Sequence, residues 1–369
     1  MIADDGLAEP AHVKIKRRDL GKTADYRDAL RAKPDLVWLF FELTRRCNMS
    51  CLHCGSSCSP QLDANLDFDA AKRVLVQVAE RYGASNVMIA LTGGEPLLYP
   101  RFFEFASLIK ELGFGYGITT NGSLITHSCG EALRQSGLAS VSVSLDGMRD
   151  LNNWFRNTPD AFERATLGIK ELVKTNPRAQ IQVTTVVHKQ NIDHLDELCD
   201  YVATLGVGSW RLVNIEPIGR AQSRKDLMLE SSDYKRLFDF IQLKRFSANL
   251  EMEVTYGCSH YLGIDREHML RDTYFLCGAG LFVASVTATG DISACLDIER
   301  SPELIQGNIF HDDFIQVWEN GFKQYRLDRS ASSEYCRDCP HARFCAGDSA
   351  HTWDFEKRAP RLCLNNALA

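Results

Sequence analysis

From residue 37 to residue 215 the chain alternates between short, apolar, β-prone runs and stretches with a helical hydrophobic period, and this alternation leaves few folds open. Strands are predicted over 37–41, 86–91, 115–119, 140–145, 179–187 and 208–215. Helices are predicted between them over 69–82, 102–112, 131–136, 161–175 and 192–205. In the first helix Ala71, Val74, Leu75, Val78 and Ala79 make one apolar stripe. Strands separated by helices of roughly 10–15 residues imply a parallel α/β sheet. About six strand–helix units are present, against the eight of a complete barrel. The expected fold is α/β: a partial (β/α)6 TIM-like barrel over 37–235, followed by a helix over 231–246.

The flanks read differently. Residues 1–36 are polar and mixed, an N-terminal extension in which 13–15 is a prospective edge strand. Residues 236–276 are a linker and the start of a cysteine-rich tail. Residues 277–369 are expected to form a small domain held by metal sites rather than by a large apolar core. The formal net charge of -6 gives no basic surplus for nucleic acid, and Lys14, Lys16, Arg17 and Arg18 read as a solvated local run. The first 30 residues lack the apolar core of a secretory leader, and no apolar run is long enough to cross a bilayer. These features exclude a membrane partner and point to the cytoplasm. Thirteen cysteines in a reducing compartment favour metal thiolates over disulfides.

Cys47, Cys51 and Cys54 form C-x3-C-x2-C directly after the first strand, where barrel enzymes place their chemistry. Three thiolates can hold three irons of a [4Fe–4S] cluster and leave the fourth open. A zinc site would instead recruit His53 or Cys58. With this triad the chain resembles the radical S-adenosylmethionine (SAM) superfamily. The resemblance implies that SAM binds the open iron and is split to a 5′-deoxyadenosyl radical. Gly93-Gly94-Glu95-Pro96 follows the next strand and resembles the family's SAM-amine segment. By the same resemblance Ser144 contacts SAM, and Asp146 faces the substrate cavity or fixes its turn. Asn121 makes either a ligand contact or a turn. One of Thr184, His188 and Asn191 is expected near SAM, and Arg211, Asn214 and Glu216 reach towards it from the last strand. Cys58 reads as a loop thiol, and Cys129 and Cys199 as ordinary buried thiols.

The tail reads Cys277-x12-Gly290-x4-Cys295, then Cys336-x2-Cys339-x5-Cys345, then Cys363. Thr289-Gly290-Asp291 is a hairpin turn between the first two cysteines. This pattern, over about 258–369, resembles the SPASM extension of radical SAM enzymes that mature peptides and proteins. The resemblance implies one complete auxiliary [4Fe–4S] cluster on Cys336, Cys339, Cys345 and Cys363. It implies a second auxiliary cluster on Cys258, Cys277 and Cys295, whose fourth cysteine is replaced here by Ser349. That site then keeps an exchangeable ligand, uses Asp348 or Ser349, or holds fewer irons. The polar and aromatic stretch 347–355 either lines the substrate opening or packs around a cluster.

The resemblance implies abstraction of a substrate hydrogen and oxidative cross-linking of side chains in a ribosomally synthesised precursor peptide. An electron donor such as flavodoxin or ferredoxin is expected. Leader recognition falls to a separate protein, the sheet edge or the cavity rim. Cys47, Cys51, Cys54, Asp146 and Asp297 are the expected catalytic set. A sulfatase-maturing enzyme is an alternative, but its catalytic aspartate directly follows the second auxiliary cysteine, and here Leu296 separates Cys295 from Asp297. A small-molecule dehydrogenase, an epimerase or a tetrapyrrole-modifying enzyme is a further alternative.

Overall fold

A polar sequence winds into a helix when a few apolar residues fall on one face and a neighbour covers them. The computed structural model describes residues 11–257 and 260–368, with side chains from Arg18 onward, and helix α1 spans Ala11–Ala32. The edge strand expected at 13–15 is therefore helical. Leu20, Ala24 and Leu30 form its buried stripe. Arg27 fixes the helix to the tail through the carbonyls of Arg343 and Phe344.

The alternating segment follows the expected order: β1 (Trp38–Glu42), α2 (Phe68–Tyr82), β2 (Met88–Thr92), α3 (Phe102–Glu111), β3 (Gly115–Thr120), α4 (His127–Gln135) and β4 (Leu138–Ser144). Two helices, α5 (Arg149–Arg156) and α6 (Ala161–Thr175), precede β5 (Gln180–Val187). Then come α7 (Leu195–Ala203), β6 (Ser209–Asn214) and α8 (Ser231–Arg245). Strands β1 to β6 are parallel neighbours in chain order.

The parallel run continues beyond the six. Strand β7 (Glu253–Tyr256) pairs with β6, and β8 (Val283–Val286), from the cysteine-rich tail, lies parallel to the other edge of β1. Strands β9 (Asp291–Ser293) and β10 (Gly307–Asn308) then extend the sheet antiparallel. The ten-stranded sheet is open, with β10 and β7 at its edges.

The period of two sorts the strand faces. Val141, Val143, Ile181, Val183, Trp210 and Leu212 are buried under the helices. Their neighbours Ser140, Ser142, Ser144, Gln182, Thr184, Ser209 and Arg211 form the half-buried concave face. The tail does not rest on metal sites in place of an apolar core. Phe314, Trp318, Phe322 and Tyr325 are buried in the same cluster as Leu39, Phe41 and Val74.

Candidate active site

The loop after β1 folds back on itself through Arg45 N to Ala64 O (2.8 Å) and Cys47 N to Ser59 O (3.2 Å). Cys47 and Cys51 are buried and Cys54 is half-buried. Cys58 is 2% exposed and packs into the same cluster, so it is a core thiol against Cys54 and not a mobile loop thiol. Burial pushes the Cys47 thiol up to about 12, so it is a good thiolate only once a metal replaces the proton.

Two donors point at sulfur: Arg156 Nη1 lies 3.8 Å from Cys51 Sγ, and Asn121 Nδ2 lies 3.9 Å from Cys47 Sγ. N–H donors suit sulfur carrying negative charge, so the three cysteines fit an iron–sulfur group. Arg220 ties the loop from outside, donating to Cys51 O (2.7 Å) and Cys58 O (2.8 Å).

Gly93 and Gly94 lie against the chain of the cysteine loop. Gly94 N donates to Thr44 O (2.7 Å) and Glu95 N to Arg46 O (3.0 Å). A Cβ on Gly93 would stand 2.4 Å from Thr44 O, and one on Gly94 2.2 Å from Arg46 O. The glycines let this segment lie flat on the base of the cysteine loop. Pro96 opens the short turn that follows. Glu95 is fully buried. It accepts from Thr120 Oγ1 (2.7 Å) and Asn121 N (2.9 Å), and burial pushes it up to about 7. Its carboxylate thus braces the end of β3.

Other candidate residues take these places in the structure. Asp146 is fully buried, bound by Arg156 Nε (2.6 Å) and Val186 N (2.8 Å), so it fixes the turn and is no free catalytic acid. Asn191 closes a turn of its own, donating to Asp146 O and Val186 O and accepting from His188 N. Asn214 faces away from Arg211 and accepts from Tyr256. Asn121 makes its turn through Ser123 N, and its amide also reaches Asn48 (2.9 Å).

Ser144, Thr184 and Arg211 share the concave face in register, with Thr184 bonded to Ser142 (2.7 Å). Arg211 keeps a buried, unpartnered Nε there. These three line the same face of the sheet and offer polar groups of the kind the SAM expectation called for. Residues that sequence reasoning passed over include Arg156, Arg220 and a ring stack. His53 lies 4.2 Å from Phe155, which lies 4.1 Å from His188, and the stack buttresses the loop beside Cys54. Helix α5, which carries Arg156 and Phe155, is only eight residues long, and its Leu151, Trp154 and Phe155 cover just one helical repeat.

In the tail, one recess has Cys336, Cys339, Cys345 and Cys363 on its wall, the residue types that a four-thiolate cluster uses. At the other site Cys277 Sγ accepts from Ala350 N (3.4 Å), bringing the Ser349 loop against it. Cys258 lies outside the described residues. Asp348 is committed to His260 Nδ1 (2.7 Å) and Tyr261 N (2.8 Å), which removes it as a free ligand. His260 also bridges to Glu216 (2.6 Å), so β6 and the tail share one buried polar chain. Asp297 is exposed beside Cys295, 4.0 Å from its sulfur, and is absent from the wall of the neighbouring cavity.

Residues 41–202 match the family model of the Radical SAM superfamily, and residues 277–340 match the SPASM iron–sulfur cluster-binding domain. An AdoMet-dependent heme synthase of Methanosarcina barkeri is 28% identical over 331 residues, covering 85% of this chain and 91% of that protein. Mycofactocin maturase MftC of Mycolicibacterium smegmatis is 29% identical, covering 84% of this chain and 77% of its own. Streptococcus suis SuiB bound to its precursor peptide SuiA superposes with a TM-score of 0.73 at 18% identity, covering 100% of this chain and 83% of SuiB. The enzyme anSMEcpe with bound AdoMet gives 0.71 at 22% identity, covering 90% and 91%.

Proposed function

We propose that this radical SAM enzyme with a SPASM extension oxidatively cross-links side chains of a ribosomally synthesised precursor peptide. When bound, the iron–sulfur groups and SAM supply one-electron cleavage to a hydrogen-abstracting 5′-deoxyadenosyl radical and an acceptor for the substrate's electron. The protein's share is to orient the target bond and keep other hydrogen donors away. Removal of one hydrogen atom, one proton and one electron leaves the peptide two hydrogens lighter per new bond.

The observation that carries the peptide reading is the concave face. Ser140, Ser142, Gln182 and Ser209 make this face polar with hydroxyls and an amide, partly bonded to one another, a surface that suits a peptide backbone. A flat apolar macrocycle calls for apolar and aromatic walls instead. The likeness to mycofactocin maturase MftC over 84% of the chain supports this reading. A second reading, modification of a tetrapyrrole, is favoured by the near full-length likeness to heme synthases.

The test is intact mass and fragmentation of the short peptide encoded nearest to the gene, co-produced anaerobically with the enzyme. Loss of two hydrogens localised between two side chains establishes cross-linking. An unchanged peptide, with SAM cleavage in the same preparation and turnover of an iron porphyrin, sinks the peptide reading and establishes the second. The cytoplasm, a flavodoxin or ferredoxin donor and a separate leader-binding protein belong to the same proposal. Among the described residues no helix is long and apolar enough to cross a membrane.

A further inference from the structure

Between the two tail cysteine sets lies a recess with Cys277 and Cys345 on its wall, together with Arg27, Arg31, Arg329 and Tyr325. Three guanidinium groups meet there, and each has a buried Nε without a hydrogen-bond partner. Arg31 is balanced by Asp28 (2.8 Å) and Asp328 (3.5 Å). Arg27 and Arg329 are not balanced in this way. Arg27 is 5% exposed and gives its Nη atoms to the carbonyls of Arg343 and Phe344. Its nearest carboxylate, Asp28, stands 3.9 Å away at the surface. Arg329 is 8% exposed and donates to the carbonyl of Asp348.

Asp348 is the acid on the same wall, and its carboxylate is turned to His260 and Tyr261 N. A buried guanidinium facing neutral carbonyls needs a counter-charge nearby, because desolvation of an uncompensated ion costs several kcal/mol. Once they ligate metal, the sulfurs of Cys277 and Cys345 would bring negative charge to this wall, and they belong to different cysteine sets.

We propose that Arg27 and Arg329 form a shared cationic wall between the two auxiliary iron–sulfur sites and raise the reduction potential of both. This rests on the reading that each cysteine set holds an iron–sulfur group. It also gives helix α1 a purpose that its polar sequence does not declare, because α1 delivers Arg27 to the recess. Positive charge beside a cluster favours the reduced, more negative state. The wall therefore makes both sites better electron acceptors.

The test is redox titration of the reconstituted full-length enzyme, followed by electron paramagnetic resonance, for Arg27→Gln and Arg329→Gln. Each variant is expected to lower the equilibrium constant for one-electron reduction of an auxiliary cluster about tenfold, or about 59 mV. The cluster on Cys47, Cys51 and Cys54 should not move and serves as the internal reference. Unmoved auxiliary potentials at full iron content overturn the proposal. If Arg27→Gln loses auxiliary iron, Arg27→Lys decides. Recovery of iron and potential with the charge restored supports the cationic wall, whereas loss in both variants makes Arg27 a carbonyl clamp and overturns it. Auxiliary iron missing from the unmodified enzyme would instead refute the underlying assignment of the cysteine sets.

Discussion

Arg156 and Asp146 are buried together beside Cys51, so removing one partner strands the charge of the other. Arg156→Gln is expected to cost about 3–5 kcal/mol, read as a lower unfolding midpoint under anaerobic conditions. Adding Asp146→Asn should return part of that loss, and no recovery would count against an electrostatic origin. Gly94→Ala tests the base of the cysteine loop. Its Cβ would collide with the carbonyl of Arg46, which is backbone and cannot swing aside. SAM cleavage should fall about 100-fold, the scale of an ångström-size misplacement. Unchanged cleavage at full iron content would refute this role. At this scale the cysteines and the Gly-Gly-Glu-Pro segment were legible because their spacing is local. What Gly94 touches and what neutralises Asp146 were not, because Arg46 and Arg156 are brought there by folding.

The strands and helices of the barrel announced themselves through period, and β5 shows why: its buried Ile181, Val183, Thr185 and Val187 alternate with Gln180, Gln182, Thr184 and the half-buried Val186. In helix α1 the buried stripe is only Leu20, Ala24 and Leu30 among polar residues, too thin to stand out, and β7 and β8 have only four residues each, too few to establish a period. Helix α8 was legible in its extent, though not in how it starts. Glu230 and Asp233 form a reciprocal capping box, and Asp233 also binds Lys189 Nζ (2.8 Å). Burial pushes the Asp233 carboxyl up, but the Lys189 and Glu230 N–H bonds outweigh it, and its pKa lies below the usual range. The carboxylate is therefore charged at neutral pH and contributes its stability there. Asp233→Ala should destabilise the first turn of α8 by about 1 kcal/mol. Amide exchange at residues 231–234 should then run about fivefold faster. Unaltered exchange would show that packing against β7, not the cap, sets the start of this helix.

The cysteine-rich tail invites a picture of a separate domain hung on a barrel, but strand pairing joins the two. Strand β8 gives β1 its second neighbour, with Trp38, Leu39, Phe40 and Phe41 opposite Val283, Ala284, Ser285 and Val286. Just beyond, Glu42 accepts from Ala288 N (2.9 Å) and binds Arg300, so the end of the first barrel strand is fastened to the tail beside the cysteine loop. A chain cut after residue 276 would bare the β1 edge and uncover part of the common core formed with Phe314 and Trp318. An unpaired apolar edge is a template for association. The truncated chain should therefore elute as aggregate in size-exclusion chromatography and retain little iron on Cys47, Cys51 and Cys54. A monomer with its first cluster intact would mean that the barrel closes without the tail. Loss of that cluster despite an untouched cysteine triad would show that β8 and Glu42 hold the loop in shape, tying the triad mechanically to the cysteine-rich tail.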